Sequence, residues 1–222
     1  MNKGCIFDLD GTILDTVYSI AHAVNATLKD LGLAEHEVEE YYHFAGDGQH
    51  ELLKRALFAS GDTTYQNLTK AEELYTDRFR TECTLGVKPF DGIVELLQGL
   101  KQLGYRLAVL SNKEDANVVH IIKTVFPKGC FDVVMGRRKE FPKKPDPAAV
   151  FHILEEENIA KESCLYVGDT DTDMKTGRNA GLYTIGVTWG FRDSLELEKG
   201  GADQIVSHPK EILDIAKTKE KN

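Results

Sequence analysis

From Pro89 to the end of the chain, short apolar runs alternate with stretches whose apolar residues recur at helical spacing. Arg106 to Leu110, Phe131 to Met135, Cys164 to Val167, Tyr183 to Val187 and Gln204 to Val206 read as strands. Ile93 to Leu100, Val118 to Val125, Ala148 to Glu157 and Met174 to Ala180 read as the helices between them. A last helix lies near Lys210 to Ala216. Strand–helix units repeated in this way pack as a parallel sheet with helices on both faces. The expected class is therefore α/β, a Rossmann-like parallel sheet flanked by helices. Such sheets bind their ligands beyond the carboxyl ends of the strands.

One further strand, Cys5-Ile6-Phe7, precedes this region and stops at the acidic, glycine-containing segment Asp8-Leu9-Asp10-Gly11-Thr12. From Asp15 to about Arg80 no strand-like run occurs. Ile20, Val24 and Leu28 keep helical spacing, as do Leu52, Leu53, Ala56 and Leu57, and Leu74 with Phe79 suggest a further helix. Gly32, Gly46-Asp47-Gly48 and Ser60-Gly61-Asp62 break these helices apart. The expected organisation is an α/β core domain of residues 1–14 and 82–222, with an inserted all-helical cap domain of residues 15–81. An insertion after the first strand hangs over the carboxyl edge of the sheet.

A chain of 222 residues buries about 70% of its unfolded surface, so staples are not required. With 41% hydrophobic and 28% charged residues, disorder is expected only near Lys217 to Asn222. The net charge of −9 argues against non-specific nucleic-acid binding, which needs basic surface. No apolar run approaches the ~18 residues of a membrane span. Cys5, Cys83, Cys130 and Cys164 form no C-x-x-C pair and read as reduced thiols of a cytoplasmic protein, monomer or homodimer. His36, His43 and His50 recur at equal intervals, but a glycine break precedes His50, so they read as solvated or capping residues. Trp189 reads as packing near the site.

Four constellations stand at the carboxyl ends of four expected strands. In the first, strand alternation points Asp8 and Asp10 the same way, and Gly11 permits a sharp turn. Two such charges about 4 Å apart repel by ~4 kcal/mol at an effective dielectric near 20, which asks for a cation, a proton or separation. The second, Ser111-Asn112, offers a hydroxyl and an amide to a phosphate, or a helix cap before Glu114. The third, Lys144-Pro145-Asp146-Pro147, holds a lysine in a stiff loop, a counter-charge or a solvated cation. Its neighbours Arg137, Arg138, Lys139 and Lys143 read as surface. The fourth, Gly168-Asp169-Thr170-Asp171-Thr172-Asp173, gathers carboxylates at a helix start. Such a cluster suits magnesium, which prefers hard oxygen ligands.

In this order and at successive strand ends, the four segments resemble the haloacid-dehalogenase-like hydrolase superfamily across nearly the whole chain. That resemblance implies an aspartyl-phosphate mechanism: Asp8 attacks phosphorus, and Asp10 acts as acid and then base. It implies Mg2+ held by Asp8, the Asp10 backbone carbonyl and Asp169, with Asp173 a secondary ligand. Thr12 would help place Asp10 and the phosphate, Ser111 would bond a phosphate oxygen, and Lys144 would join Asp8 to the transferring group. Superfamily dehalogenases lack an aspartate at the position of Asp10, which favours phosphoryl chemistry. Phe44 to Gln49 and Glu51 to Leu57, with Ser111-Asn112-Lys113, resemble the phosphoglycolate phosphatase branch.

The expected function is thus a magnesium-dependent phosphomonoester hydrolase of a small phosphorylated metabolite, with phosphoglycolate foremost. Gly46, Gly48 and Asn112 join Thr12, Ser111 and Lys144 as candidate substrate-binding residues. Pyrophosphate, nucleotide and sugar phosphates remain alternatives, as does a phosphomutase resembling β-phosphoglucomutase. A phospho-receiver-like switch is the non-enzyme alternative.

Overall fold

The computed structural model describes residues 1–219. The chain opens with β1 (Asn2–Phe7) and a two-residue strand, β2 (Leu14–Asp15). Helices α1 (Val17–Asp30), α2 (Tyr41–Phe44), α3 (Gln49–Ala59) and α4 (Leu68–Glu82) follow, and β3 (Lys88–Pro89) brings the chain back. Thereafter α5 (Ile93–Gln102), β4 (Tyr105–Glu114), α6 (Asp115–Val125), β5 (Val133–Arg137) and α7 (Ala148–Glu156) alternate. The series continues with β6 (Ile159–Gly168), α8 (Asp171–Ala180), β7 (Tyr183–Val187), α9 (Ser194–Gly200), β8 (Gln204–Val206) and α10 (Pro209–Lys219). Lys217 to Lys219, expected to be disordered, close α10; the last three residues lie outside the described ones.

Six strands pair in the order β5-β4-β1-β6-β7-β8, each pair parallel. The expected α/β sheet is present. Its order reverses at β1, where an open parallel sheet leaves a crevice at its carboxyl edge. Asp8 directly follows that strand and continues its ladder, its N–H donating to the Val167 carbonyl at 2.9 Å.

Alternation divides the buried side chains between the two faces of the sheet. Cys5, Phe7, Leu107, Val109, Leu165 and Val167 join a core that includes residues of α5, α6 and α10. Ile6, Ala108, Leu110, Cys164 and Tyr166 face the other way, against Ala149, Val150 and Ile153 of α7. Each buried Leu or Ile contributes roughly 1.5–3 kcal/mol. All four thiols are free; Cys130 is half-buried and the other three are buried.

The helical block buries the stripes its spacing implies, Ile20, Val24 and Leu28 on α1, and Leu52, Leu53, Ala56 and Leu57 on α3. On α4 the buried stripe is Ala71, Tyr75 and Phe79, with Leu74 only half-buried. His36 caps α3, its Nε2 lying 3.0 Å from the Ala56 carbonyl and 2.8 Å from Ser60 Oγ. The block leaves and rejoins the rest through an antiparallel ribbon, Leu14 opposite Pro89 and Asp15 opposite Lys88. Among the described residues, no helix is long and apolar enough to cross a membrane.

Candidate active site

The polypeptide gathers three of the expected strand-end segments around one buried point. Asp8, Asp169 and Asp173 each place a carboxylate oxygen so that all lie within 4.8 Å of one another. Lys144 reaches into the same point, its Nζ donating at 2.6 Å to Asp8 Oδ1 and at 2.6 Å to Asp173 Oδ1. It is 6% exposed, which overturns the alternative of a solvated cationic loop. Arg137, Lys139 and Lys143 are exposed as expected, and the half-buried Arg138 pairs with Asp115.

Local structure explains how these side chains are held. Thr170 caps α8 in a reciprocal box: the Asp173 N–H donates to the Thr170 hydroxyl oxygen, and Asp173 Oδ2 accepts from the Thr170 N–H. Asp171 points away, pairing with Lys175 one turn on. Asp169 is fully buried and accepts from the Thr12 hydroxyl at 3.0 Å and the Phe191 N–H at 2.7 Å. It occupies a slot between two glycines. A Cβ on Gly11 would stand 2.2 Å from Asp169 Oδ2, and one on Gly190 would stand 2.4 Å from Asp169 Cβ. Gly11 also takes φ +81°, a conformation glycine adopts without steric cost.

The electrostatics of this point are unbalanced. Burial pushes Asp8 up to about 7, the charges of Asp173 and Asp10 push the same way, and Lys144 opposes them. Burial likewise drives Asp169 well above the usual carboxylate range, with Asp173 and Asp8 adding to it. Burial alone would lower Lys144, but Asp173 and Asp8 outweigh it and hold the ammonium well above its ordinary value. Three carboxylates against one ammonium leave an excess of negative charge in a buried place. An all-oxygen donor set of this kind has the chemistry of a hard-cation site.

Asp10 stands beside this cluster. Its Oδ1 accepts from the Thr16 hydroxyl at 2.6 Å and pairs with the ammonium of Lys113. The reading of Thr12 is therefore corrected: its hydroxyl faces Asp169, and Thr16 is the threonine that places Asp10. Trp189 packs as expected, its indole N–H donating to the Thr12 carbonyl at 2.9 Å.

Ser111 does not cap α6, whose N-cap is Glu114; it is buried and lines the cavity above Asp8. Asn112 clamps the lysine loop, its amide donating to the Lys144 carbonyl and its oxygen accepting from the Lys144 N–H at 2.9 Å. Its side chain thus positions Lys144, and Asn112 also lines the cavity over Asp8.

A cavity of about 50 Å³ lies over Asp8, Asp10 and Ser111, roofed by Gly46, Gly48 and Leu52 of the helical block. Two contacts hold that roof down. Arg192 donates to the carbonyls of Tyr42 at 2.7 Å and Ala45 at 2.8 Å. Asp47 accepts from the Thr172 hydroxyl at 2.9 Å and from Arg55 at 2.5 Å, with Arg192 3.7 Å away. Burial, which would raise Asp47, is outweighed by these partners, and its carboxyl lies below its ordinary value. Lys113 and Asp47 lie inside segments that the resemblance singles out, but the sequence assigns them no partner, and the same holds of Thr16 and Arg192.

A parallel sheet with an acidic carboxyl edge, and a helical insertion after its first strand, is the class of hydrolase that the fold and site define. The model of haloacid dehalogenase-like hydrolases matches residues 5–187, and the chain belongs to that family. A phosphoglycolate phosphatase of Aquifex aeolicus is 33% identical over 214 residues, 95% of this chain and 94% of that one. One from Nitrosospira multiformis is 32% identical over 206 residues, 92% and 91% of the two chains. Among solved structures, a chain from Lactobacillus delbrueckii subsp. bulgaricus has a TM-score of 0.90 at 29% identity, covering 97% of this chain and 99% of that one.

Proposed function

We propose that this protein is a magnesium-dependent phosphomonoester hydrolase that works through an aspartyl phosphate on Asp8. The observation that carries the reading is the buried triad of Asp8, Asp169 and Asp173, bridged by Lys144 at the reversal point of the sheet. Asp8 Oδ attacks phosphorus as the ester P–O bond breaks, and Asp10 gives its proton to the departing oxygen. Asp10 then takes a proton from water, whose oxygen attacks the acyl phosphate, releasing inorganic phosphate and restoring Asp8. Lys144 keeps Asp8 oriented and offsets charge on the transferring group, and Ser111 offers its hydroxyl to a phosphoryl oxygen. Mg2+ would be held by Asp8, Asp169 and Asp173, with the Asp10 backbone carbonyl added by family resemblance. When bound, it supplies positive charge against the phosphoryl oxygens.

In this reading the helical block, residues 15–81, is a cap that excludes water from the core of residues 1–14 and 82–222. The small cavity and the names of the relatives favour phosphoglycolate as substrate. The test is phosphate release from a panel headed by phosphoglycolate, with magnesium and with chelator, beside Asp8→Asn. Release that needs the metal and vanishes in the variant is expected. Turnover that survives Asp8→Asn would sink the nucleophile assignment.

A further inference from the structure

Among the described residues, Lys113 is the only basic side chain on the wall of the cavity. It leaves the end of β4 with its N–H donating to Ser111 Oγ at 3.2 Å. Its ammonium lies 5.1 Å above the Phe79 ring, and its side chain is only 9% exposed. The partner it holds is Asp10. Much of the remaining wall is apolar, formed by Ile20, Leu52, Tyr75 and Phe79.

This arrangement fits poorly with a plain alkyl leaving group. Asp8, Asp10 and Lys113 line one chamber, with Lys113 paired to Asp10. A phosphoryl group seated at Asp8 puts its ester oxygen at Asp10. The next atoms of the leaving group then meet Lys113. An alkyl chain there would leave the ammonium dependent on Asp10, the residue needed at the ester oxygen. A carboxylate there takes over the ammonium through a charge-assisted hydrogen bond and frees Asp10 for that oxygen.

We infer that Lys113 is a specificity residue that binds a second anionic group on the substrate. This makes the preferred substrates small phosphorylated hydroxy acids, their length limited by Leu52, Tyr75 and Phe79. The inference rests on the phosphatase reading above and adds the residue that selects the leaving group.

The experiment compares kcat/KM for 2-phosphoglycolate and for ethyl phosphate, which matches its carbon chain but lacks the carboxylate. Wild type, Lys113→Met and Lys113→Arg are assayed with magnesium. Loss of contact with Asp10 lowers both rates in Lys113→Met, so the informative quantity is their ratio. A charge-assisted contact predicts that the ratio for phosphoglycolate over ethyl phosphate falls by about tenfold or more. Lys113→Arg is expected to keep most of it. Equal losses on both substrates, with wild type still hydrolysing phosphoglycolate, overturn this inference alone and leave Lys113 serving Asp10. Wild-type protein that releases phosphate from neither substrate overturns the phosphatase reading and this inference with it. Should Lys113→Met not fold, Lys113→Gln carries the same comparison.

Discussion

Replacing Lys144 by Met removes the cation that contacts Asp8 and Asp173 while keeping an unbranched stem of similar length. Three carboxylates then face one another within 4.8 Å. At an effective dielectric near 20, each pair of full charges at that distance repels by about 3.5 kcal/mol. The cluster escapes by binding protons. Asp8 already stands near 7 against an ordinary 3.8, and loss of Lys144 raises it further. A carboxyl raised in the folded state binds more protons folded than unfolded between its two pKa values, so stability falls as pH rises through that window. In chelator, wild type should therefore lose stability from about pH 4 to 7, and the variant should continue losing it above pH 7. Removing one member of a buried pair costs about 3–5 kcal/mol, and that deficit is expected at pH 8. Near pH 5, where protons neutralise the cluster, it should shrink to about 1–2 kcal/mol. Urea unfolding followed by the fluorescence of Trp189, the sole tryptophan, measures both. Millimolar magnesium should reduce the pH 8 deficit by restoring positive charge. A deficit that is the same at pH 5 and pH 8 would refute the electrostatic reasoning.

Two more substitutions probe the roof and the slot. Arg192→Ala deletes the donors to the Tyr42 and Ala45 carbonyls; each charge-assisted bond is worth about 1.5–3 kcal/mol. Amide exchange in residues 41–48 should quicken and kcat/KM should fall by about tenfold, and unchanged exchange would count against the clasp. Gly190→Ala forces a Cβ to 2.4 Å from both Asp169 Cβ and the Gly11 carbonyl oxygen. Overpacking of this kind costs about 1–3 kcal/mol, read by urea unfolding, and magnesium affinity measured by calorimetry should drop with it.

What the sequence displayed was chemistry concentrated in short segments. Asp8 to Thr12 and Gly168 to Asp173 each hold several polar residues at one strand end, so strand pattern and composition point to the same place. The six sheet strands were legible because their apolar runs are bounded by helical periodicity. The β2–β3 ribbon has only two residues on each side, too few for any alternation to register. Pairings across long separations were invisible even where the residues themselves stood in segments that the resemblance singles out. Lys113 is 103 positions from Asp10, and Thr172 is 125 from Asp47. Thr12 and Thr16 flank one turn, and only the path of the backbone at Gly11 decides which of them meets Asp10. Helix α9 carries only a local signal: Asp193 accepts the Glu196 N–H as its cap, but only Leu197 and Gly200 are buried, so no apolar stripe marks the helix.

The two-rung ribbon carries one more consequence. Because Leu14 and Pro89 are paired, the chain departs for the helical block and returns at a single point. Any length of polypeptide that begins and ends side by side could stand there. Asp8 and Asp10 precede the departure, while Ser111, Lys144, Asp169 and Asp173 follow the return. A longer, shorter or altogether different insert would leave their spacing untouched. The layout separates two kinds of change: one stretch of chain can be exchanged while the residues proposed for phosphoryl transfer stay as they are.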